Sequence, residues 1–402
     1  MALLSVEDAL ARILSGAQPT AAEDVALADA ADRVLAADIA ARLTQPPFDA
    51  SAMDGYAVRA GDVAQLPAAL HLIGESAAGH AFDGRISAGE TVRIFTGAPV
   101  PEGADAIVIQ ENAKAEGATI HVVEGVPDPH HIRPRGGDFQ SGSSMLDAGH
   151  RLNSRDILLA AAMGHARLAI RRRPRVAILA TGDELVAPGE TPRADQIVSS
   201  NPYGLAAMLR GYGADPVLLG IARDTLTSLA SHIAAAEDAD ILLTIGGASV
   251  GDHDLVVPAL EQAGMTLDFW KIAMRPGKPM IFGRRGRQYV LGLPGNPVSS
   301  MICTRVFVVP LIAALLGRDP AEARTMQRAT LDAPLERNGP RTHYMRARFV
   351  NPGPGHRRVR AVANQDSSLI APLASADCLI VRPPHAAALD GGCRVDVLPL
   401  DF

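Results

Sequence analysis

Residues 174–318 alternate between short apolar runs and amphipathic stretches, and this alternation constrains the fold more than any other feature of the chain. Runs such as 176–180 and 240–245 are typical of strands that are buried on both faces. Strand–helix alternation predicts a doubly wound, mostly parallel α/β sheet. The predicted strands are 176–180, 216–221, 240–245 and 288–292, and the predicted helices lie at 205–209, at about 225–237, from about Leu255 and from near Ser299.

The segments on either side of this alternation have different patterns. Residues 5–15 are predicted to form a helix capped by Ser5, and a second amphipathic stretch covers about 22–40. Residues 46–145 are rich in Gly, Pro and short alternating runs, which predicts an inserted β domain. The expected domains are a helical linking region of 1–45 and 146–173 whose N-terminal helix can pack on the α/β domain, the inserted domain of 46–145, the α/β domain of 174–320, and a C-terminal β domain of 325–402 that is a small barrel or a sandwich.

The composition argues against several classes of function. The net charge of −6 over 402 residues favours neither a nucleic-acid-binding nor a polybasic membrane-binding surface. The three cysteines have no metal-ligand spacing. The N-terminus has acidic residues too early for a signal peptide, and no apolar stretch is expected to reach the length of a membrane span. We therefore expect a cytoplasmic protein without nucleic-acid or membrane partners.

Three loops that follow predicted strands carry most of the candidate chemistry, because ligands of open α/β sheets bind at the carboxyl ends of the strands. The glycine-rich middle loop, 246–254, places Ser249 before a helix that begins near Asp254, an arrangement typical of a phosphate cradle. The alternative is a set of tight turns that close strand–helix units. The loop residues predicted to bind substrate are Thr181, Gly182, Gly246, Gly247, Ser249, Gly251, Gly295 and Asn296.

Charged residues in and near these loops suggest a metal and an anion. Glu184, Asp252 and Asp254 offer the oxygen ligands that Mg²⁺ requires next to a phosphate. The alternative is that Asp254 caps its helix and Asp252 is solvated. Arg275 and Lys278 lie in a proline-rich loop and can neutralise a phosphate or a tetrahedral oxyanion, although exposed cations in a structural loop are the simpler explanation.

The chain resembles the molybdopterin molybdenumtransferase (MoeA) family, which includes the E domain of gephyrin. Eight segments occur in family order between about residues 5 and 400: SAMDGYAV, IFTGAPVPEGADAIV, RGGD, ATGDELV, SSNPYGL, GGASVGDHD, RPGKP and GLPGNPVS. The resemblance implies an elongated four-domain homodimer whose molybdopterin-binding domain is the α/β region.

The resemblance also implies a reaction. Adenylylated molybdopterin and molybdate bind, Mg²⁺ assists hydrolysis of the adenylate, molybdenum joins the dithiolene sulfurs, and AMP leaves. It further implies a molybdopterin adenylyltransferase as the partner that delivers the substrate and molybdoenzymes as acceptors.

Functional residues are carried over by motif. The implied catalytic residues are Asp54, Thr96, Asp138, Glu184 and Asp254; further substrate-binding residues are Asp224, Arg275, Lys278, Pro294 and Pro297, with Arg346 as a weaker candidate for molybdate contact; the metal ligands are Glu184, Asp252 and Asp254. The family cleft lies between subunits, which implies that Asp54 acts across the dimer interface. Judged without the resemblance, Asp54 and Thr96 would be turn residues.

The sequence departs from the family in the C-terminal domain. Residues 364–368 and 376–378 differ from the usual glycine- and asparagine-containing forms, which puts the molybdate contacts in doubt.

Two other functions remain open. A molybdopterin adenylyltransferase shares the α/β domain but normally lacks the flanking β domains, and a gephyrin-like scaffold would tolerate loss of the carboxylates.

Overall fold

A six-stranded sheet forms the centre of the protein, whose computed structural model describes residues 3–125, 128–247, 255–350 and 357–402. The strand order is Asp215–Ala222, Arg175–Thr181, Ile241–Ile245, Gln288–Leu293, Pro279–Arg285 and Thr266–Lys271. The first four strands are parallel, and the last two are antiparallel. The four predicted strands are confirmed, and the two antiparallel strands are additional to the prediction.

Alternate residues of the parallel strands fill two separate cores, one on each face of the sheet. Ile178 and Leu243 belong to the first core, whereas their neighbours Leu179 and Leu242 belong to the second. Burial on both faces explains why these strands read as continuous apolar runs. The helices of this region are Asn201–Gly211, Leu226–Ala234, Val256–Gln262, Pro297–Cys303 and Val309–Leu315.

The first helix, Val6–Leu14, packs on the α/β region through Val6, Leu10 and Ile13 in the first core. The Ser5 side chain accepts a hydrogen bond from the backbone N–H of Asp8 at 3.0 Å, which caps the helix as the sequence predicts.

A continuous helical segment, Pro297–Leu315, corrects the expectation that no apolar stretch approaches the length of a membrane span. Among the described residues it is the one helix that meets both the length and the hydropathy of a span, at 19 residues and a mean hydropathy of 2.0. It is 89% buried inside the protein. Its apolar composition is therefore accounted for by core packing, as in the fully buried helix of a large domain. Residues Thr304–Val308 within it form a π-helical turn.

The linking region is less helical than the sequence predicts. The amphipathic stretch of 22–40 forms two strands and a 3₁₀ turn: Ala22–Ala26 pairs with Arg167–Arg171, and Ile39–Ala40 pairs with Ser144–Leu146. Pairing with distant strands overrides the helix propensity of the alanines, because propensity is a weak bias. The helical character predicted for 146–173 is present in one helix, Ser154–Ala162.

The inserted region contains a second six-stranded sheet. Its order is Ala106–Ile109, Gly55–Val58, Glu90–Ile94, Ala68–Ser76, Thr119–Val122 and Ala113–Glu116. The short strands Ala50–Ser51 and Ile132–Arg133 pair next to it. The predicted β character of this region is confirmed.

The C-terminal region is a closed five-stranded barrel, so of the two architectures left open by the sequence the barrel is correct. The barrel order is Thr342–Val350, Arg358–Ala361, Gln327–Leu331, Arg394–Pro399 and Cys378–Arg382, and the last strand pairs with the first. A short strand of the α/β region, Met274–Arg275, adds to the edge of Thr342–Val350. A short helix, Ile370–Ala374, lies between two barrel strands.

Candidate active site

A cavity of about 420 Å³ opens at the carboxyl ends of the parallel strands, where the sequence places the site. We call it the central cavity. It is lined by Ala180, Thr181, Glu184, Leu185, 197–202, Ile245, Gly246, Gly295, Asn296, Pro297, Ser368 and Ile370. Three strand ends and a segment of the C-terminal region thus converge on one space. The short parallel strands Leu185–Val186 and Ile197–Val198 form one rim.

Gly182 and Glu184 are arranged so that the carboxylate lies over the backbone. Gly182 has a φ of +145°, and a side-chain carbon at this position would overlap the Glu184 carboxylate. The positive φ favours glycine here, and a larger residue would also displace the Glu184 carboxylate. Its N–H donates to the carbonyl of Ala222 at 3.2 Å, which ties this loop to the neighbouring strand.

Gly246, which follows the strand Ile241–Ile245, contacts the ends of the two neighbouring strands. Its φ is +96°, and an added side-chain carbon would lie 2.7 Å from the carbonyl oxygen of Thr181. The N–H of Gly246 donates to the carbonyl of Leu293 at 3.1 Å, and the Thr181 hydroxyl donates to the carbonyl of Ile245 at 3.4 Å. Any side chain at 246 would push these strand ends apart. Gly247, at a φ of +59°, continues the turn.

Part of the predicted phosphate cradle lies outside the described residues, which end at Gly247 and resume at Leu255. Ser249, Gly251, Asp252 and Asp254 belong to this gap, and their predicted roles stay predictions. Within the described residues, no group of three or more His, Cys, Asp or Glu side chains could hold a metal ion. Glu184 is the single carboxylate among the described lining residues.

Asn296 connects the α/β region to the C-terminal barrel. Its side-chain N–H donates to the Ser367 hydroxyl at 2.9 Å, and the backbone N–H of Val298 donates to the carbonyl of Ser367 at 3.1 Å. On the other side, the Asn201 side chain donates to the carbonyl of Gly295 at 2.7 Å. This loop, which includes the buried Pro294 and the lining residue Pro297, is therefore fixed between two regions of the chain.

Residues 364–369, which we call the wall loop, bring Ser368 into the wall of the central cavity. Ser368 lines the cavity, and both its backbone N–H and its hydroxyl donate to the Asp366 carboxylate at 2.8 Å. These hydrogen bonds, the backbone one first, hold the pKa of Asp366 below its usual value. Asp366 is thus ionised at neutral pH, and the Ser368 proton points to it.

Arg346 lies beneath the wall loop and not in the cavity lining. It is only 1% exposed, and its guanidinium donates to the carbonyls of Asn364, Asp366 and Leu369 at 3.1, 2.8 and 2.9 Å. Burial lowers the pKa of Arg346, which the charge of Asp366 partly offsets. The structure therefore places this predicted molybdate contact behind the wall.

Arg275 and Lys278 are exposed and are absent from the lining of the central cavity. Their loop is fixed at Gly277, where an added side-chain carbon would lie 2.5 Å from the Cys303 sulfur.

Arg275 pairs in register with the buried His343 of the barrel. Burial lowers the pKa of His343 to about 4, and nearby guanidinium groups act in the same direction.

Asp54 and Thr96 form a hydrogen-bonded pair in the inserted region. The Asp54 carboxylate accepts from the Thr96 backbone N–H at 2.7 Å and from its hydroxyl at 2.8 Å, which holds the pKa of Asp54 below its usual value. Arg93, whose charge acts in the same direction, lies 4.9 Å from the ring of Tyr56 and 5.0 Å from that of Phe95. The carboxylate is thus prepared to accept hydrogen bonds or bind a cation.

The remaining predicted acidic residues lie apart from the central cavity. Asp138 lines a separate open cavity of about 840 Å³ in the inserted and linking regions, together with Asp49 and Asp105. Asp224 is exposed at the same sheet edge as Glu184, and its N–H donates to the Asp183 carboxylate at 3.4 Å. Within one chain, Asp54, Thr96 and Asp138 do not line the central cavity.

Sequence reasoning assigned no role to Asn201, Ser367 or Ser368. Asn201 begins a helix that has proline in its first turn, and the segment SSNP before a predicted helix was a usable signal. The sequence marks Ser367 and Ser368 only as part of a segment that departs from the family, because their position at the cavity depends on contacts with residues about 70 positions away in the chain.

The whole chain matches one set of known proteins, domain by domain. Residues 4–164 match the family described as "MoeA N-terminal region (domain I and II)", residues 177–314 match "Probable molybdopterin binding domain", and residues 328–400 match "MoeA C-terminal region (domain IV)".

Individual relatives agree over the full length. The molybdopterin molybdenumtransferase of Haemophilus influenzae is 34% identical over 403 residues and covers 99% of both chains. The one from Nostoc sp. is 34% identical over 376 residues, covering 92% of this chain and 86% of the relative. The crystal structure of a molybdopterin biosynthesis MoeA protein from Pyrococcus horikoshii superposes with a TM-score of 0.87 at 28% identity over 100% of both chains.

Proposed function

The chain belongs to the MoeA family of molybdopterin molybdenumtransferases, and on that premise we propose that it inserts molybdenum into molybdopterin during synthesis of the molybdenum cofactor. The central cavity supports this most directly, since its strand-end glycines and Glu184 lie where an α/β sheet binds a nucleotide-linked substrate. The proposed substrates are adenylylated molybdopterin and molybdate, and the products are the molybdenum cofactor and AMP.

The lining suits a phosphate-bound Mg²⁺. This ion is usually held by one or two carboxylates, with waters and substrate phosphate completing its shell. Glu184 offers one carboxylate at the cavity, and Asp252 and Asp254 remain the predicted further ligands. When bound, the ion would neutralise charge on the scissile phosphoanhydride. Gly246 and Gly247 let the backbone approach the substrate closely, and Asn296 fixes the opposite edge of the cavity.

We propose further that the active protein is a homodimer in which a second copy supplies Asp54, Thr96 and Asp138. Two exposed apolar surfaces support this. The rim of the central cavity exposes Ile197 and Tyr203 at 60% and 49%, and the inserted region exposes Met53 at 38% next to Asp54. A dimer interface that covered both surfaces would remove apolar surface from water. It would also bring the Asp54–Thr96 pair to the cavity.

The proposal extends to the cellular setting. We propose a cytoplasmic enzyme that receives adenylylated molybdopterin from a molybdopterin adenylyltransferase and passes the cofactor to acceptor molybdoenzymes. It needs no nucleic-acid or membrane partner.

The test is one assay with purified protein, adenylylated molybdopterin, Mg²⁺ and molybdate, in which AMP release and reactivation of a cofactor-free molybdoenzyme are followed together. Glu184→Gln is expected to lower both by roughly 100-fold, because it removes the carboxylate proposed to hold the Mg²⁺ that neutralises the phosphoanhydride. The matched control is Glu190→Gln, after the strand Leu185–Val186, where the carboxylate accepts from the Ala187 N–H at 2.9 Å and does not line the cavity. It is expected to keep full activity.

The result that counts against the proposal is binding of the adenylate by the wild type without AMP release or active cofactor. A scaffold function would then be favoured.

A further inference from the structure

The Arg346 side chain makes three hydrogen bonds to the backbone of the wall loop. Three backbone carbonyls of the loop, those of Asn364, Asp366 and Leu369, accept hydrogen bonds from the Arg346 guanidinium. Gln365 also connects the loop to Arg346: its side chain accepts from the Arg346 backbone N–H at 3.0 Å and donates to the Arg346 carbonyl at 2.9 Å. The conformation of the loop therefore depends on residue 346.

The loop in turn shapes the central cavity. Ser367 accepts from the side chain of Asn296 and from the backbone of Val298, which docks the loop on the α/β region. Ser368 then faces the cavity as part of its lining. Arg346 itself is 1% exposed, so a ligand in the cavity meets Ser368 and not the guanidinium.

The polarity of the wall follows from its hydrogen bonds. An ionised carboxylate can only accept, so the Ser368 hydroxyl donates its proton to Asp366. The lone pairs of that hydroxyl are what remain for a ligand, and the Asp366 charge behind them repels anions. Oxyanions need donors and positive charge. Ser368 presents lone pairs instead, and the charge of Arg346 is buried and bonded to three carbonyls of the loop.

We infer that Arg346 is a positioning residue that holds the wall loop against the central cavity, and that this wall accepts hydrogen bonds from a donor-bearing part of the substrate rather than binding molybdate. The inference deepens the proposed function and rests on it for the identity of the two ligands. The matching part of adenylylated molybdopterin is one that carries N–H or O–H groups.

Hydrogen–deuterium exchange tests the positioning role without any substrate. In Arg346→Met, exchange is expected to rise at the amides of 362–369 and at Val298, because the loop loses its three carbonyl contacts. The matched control is Arg382→Met, a change to an equally buried arginine of the same barrel that donates to the carbonyls of Glu336 and Ala386 at 3.4 Å. It is expected to leave these amides unchanged. Unchanged exchange in Arg346→Met, or equal increases in both variants, would overturn the positioning role.

Calorimetric titration with each ligand tests the polarity of the wall. Arg346→Met and the milder Ser368→Ala are each expected to weaken binding of adenylylated molybdopterin by roughly five- to tenfold, the effect of losing a hydrogen bond. Molybdate binding is expected to change less than twofold. A purely structural defect would instead lower the number of binding sites and leave the dissociation constant unchanged, and that result contradicts the inference.

A larger loss of molybdate affinity than of adenylate affinity would make the wall an oxyanion contact and would also overturn it. If the wild type bound neither ligand, the proposed function would fail, whereas the exchange experiment would still decide the role of Arg346.

Discussion

His343 is a buried histidine of the C-terminal barrel that remains neutral because of its surroundings. Burial is the main cause of its low pKa of about 4, and the guanidinium groups of Arg275, Arg341, Arg382 and Arg346 contribute in that order. At pH values between about 4 and the ordinary histidine pKa of 6.5, His343 binds a proton in the unfolded chain but not in the folded chain. The free energy of unfolding therefore decreases as the pH falls through this window.

We predict that lowering the pH from 7 to 4.5 decreases the free energy of unfolding of the barrel by about 2 kcal/mol through His343 alone. In His343→Gln this part of the loss should be absent, because glutamine has no proton to bind. Urea unfolding at several pH values measures it. His80→Gln, at an exposed position of the inserted region, is the control and should keep the wild-type pH dependence. The same pH dependence in His343→Gln and in the wild type would contradict the prediction.

The central strand Ile241–Ile245 is fully buried, and it includes a polar side chain. The Thr244 hydroxyl is buried and has no hydrogen-bond partner within the described part of the protein. Thr91, in the strand Glu90–Ile94 of the inserted region, is equally buried, but its hydroxyl donates to the carbonyl of Ala57 at 2.8 Å. The two positions differ mainly in whether the hydroxyl is bonded.

We predict that Thr244→Val stabilises the protein by about 1 kcal/mol, because it removes an unpaired buried hydroxyl without changing the shape of the side chain. Thr91→Val should destabilise it by about as much, since a bond is lost. Thermal unfolding of both variants compares the two effects. A lower melting temperature for Thr244→Val would show that its hydroxyl is bonded in solution.

Elements with strong local signals are the ones that the sequence predicts. The strands Arg175–Thr181, Ile241–Ile245 and Gln288–Leu293 are apolar throughout because both of their faces are covered, and that pattern is visible in the sequence. The additional strands Thr266–Lys271 and Pro279–Arg285 both carry charged residues; the first is the edge strand and is partly exposed, and the second lies next to it. Their antiparallel pairing is decided by tertiary contacts.

The parts of the candidate site also differ in whether the sequence predicts them. The convergence of 181–184, 246–247 and 294–297 on one sheet edge could be predicted, because parallel strands share that edge. The position of Ser368 could not, since it depends on the distant contact between Asn296 and Ser367. The burial of Arg346 could not be predicted either, because a motif gives the residue type and not the direction of its side chain.

At the scale of the whole molecule, the central cavity and the Asp54–Thr96 pair belong to different regions of one chain. The proposed homodimer predicts that each active site takes Glu184 from one copy and Asp54 from the other. In a C₂ dimer, two sites of this kind form by symmetry.

We predict that Asp54→Asn and Glu184→Gln, each nearly inactive alone, restore activity when they are unfolded together and refolded as a mixture. Half of the dimers would then be mixed, and each mixed dimer would have one intact site, so about a quarter of the wild-type activity is expected. The AMP-release assay measures the recovery. No recovery, with mixed dimers demonstrated by a mass tag, would place both residues in the same chain's site.

The long apolar helix Pro297–Leu315 has a consequence for synthesis of the chain on the ribosome. Val6–Leu14 is made early and can cover part of the helix at once, since the two segments share a core. Tyr344, Leu379 and Leu398 belong to the same core and are translated after the helix. Until they emerge, the nascent chain presents an incompletely covered hydrophobic segment, which is the kind of surface that chaperones bind. We therefore expect chains truncated within the C-terminal barrel to aggregate or to be retained by chaperones.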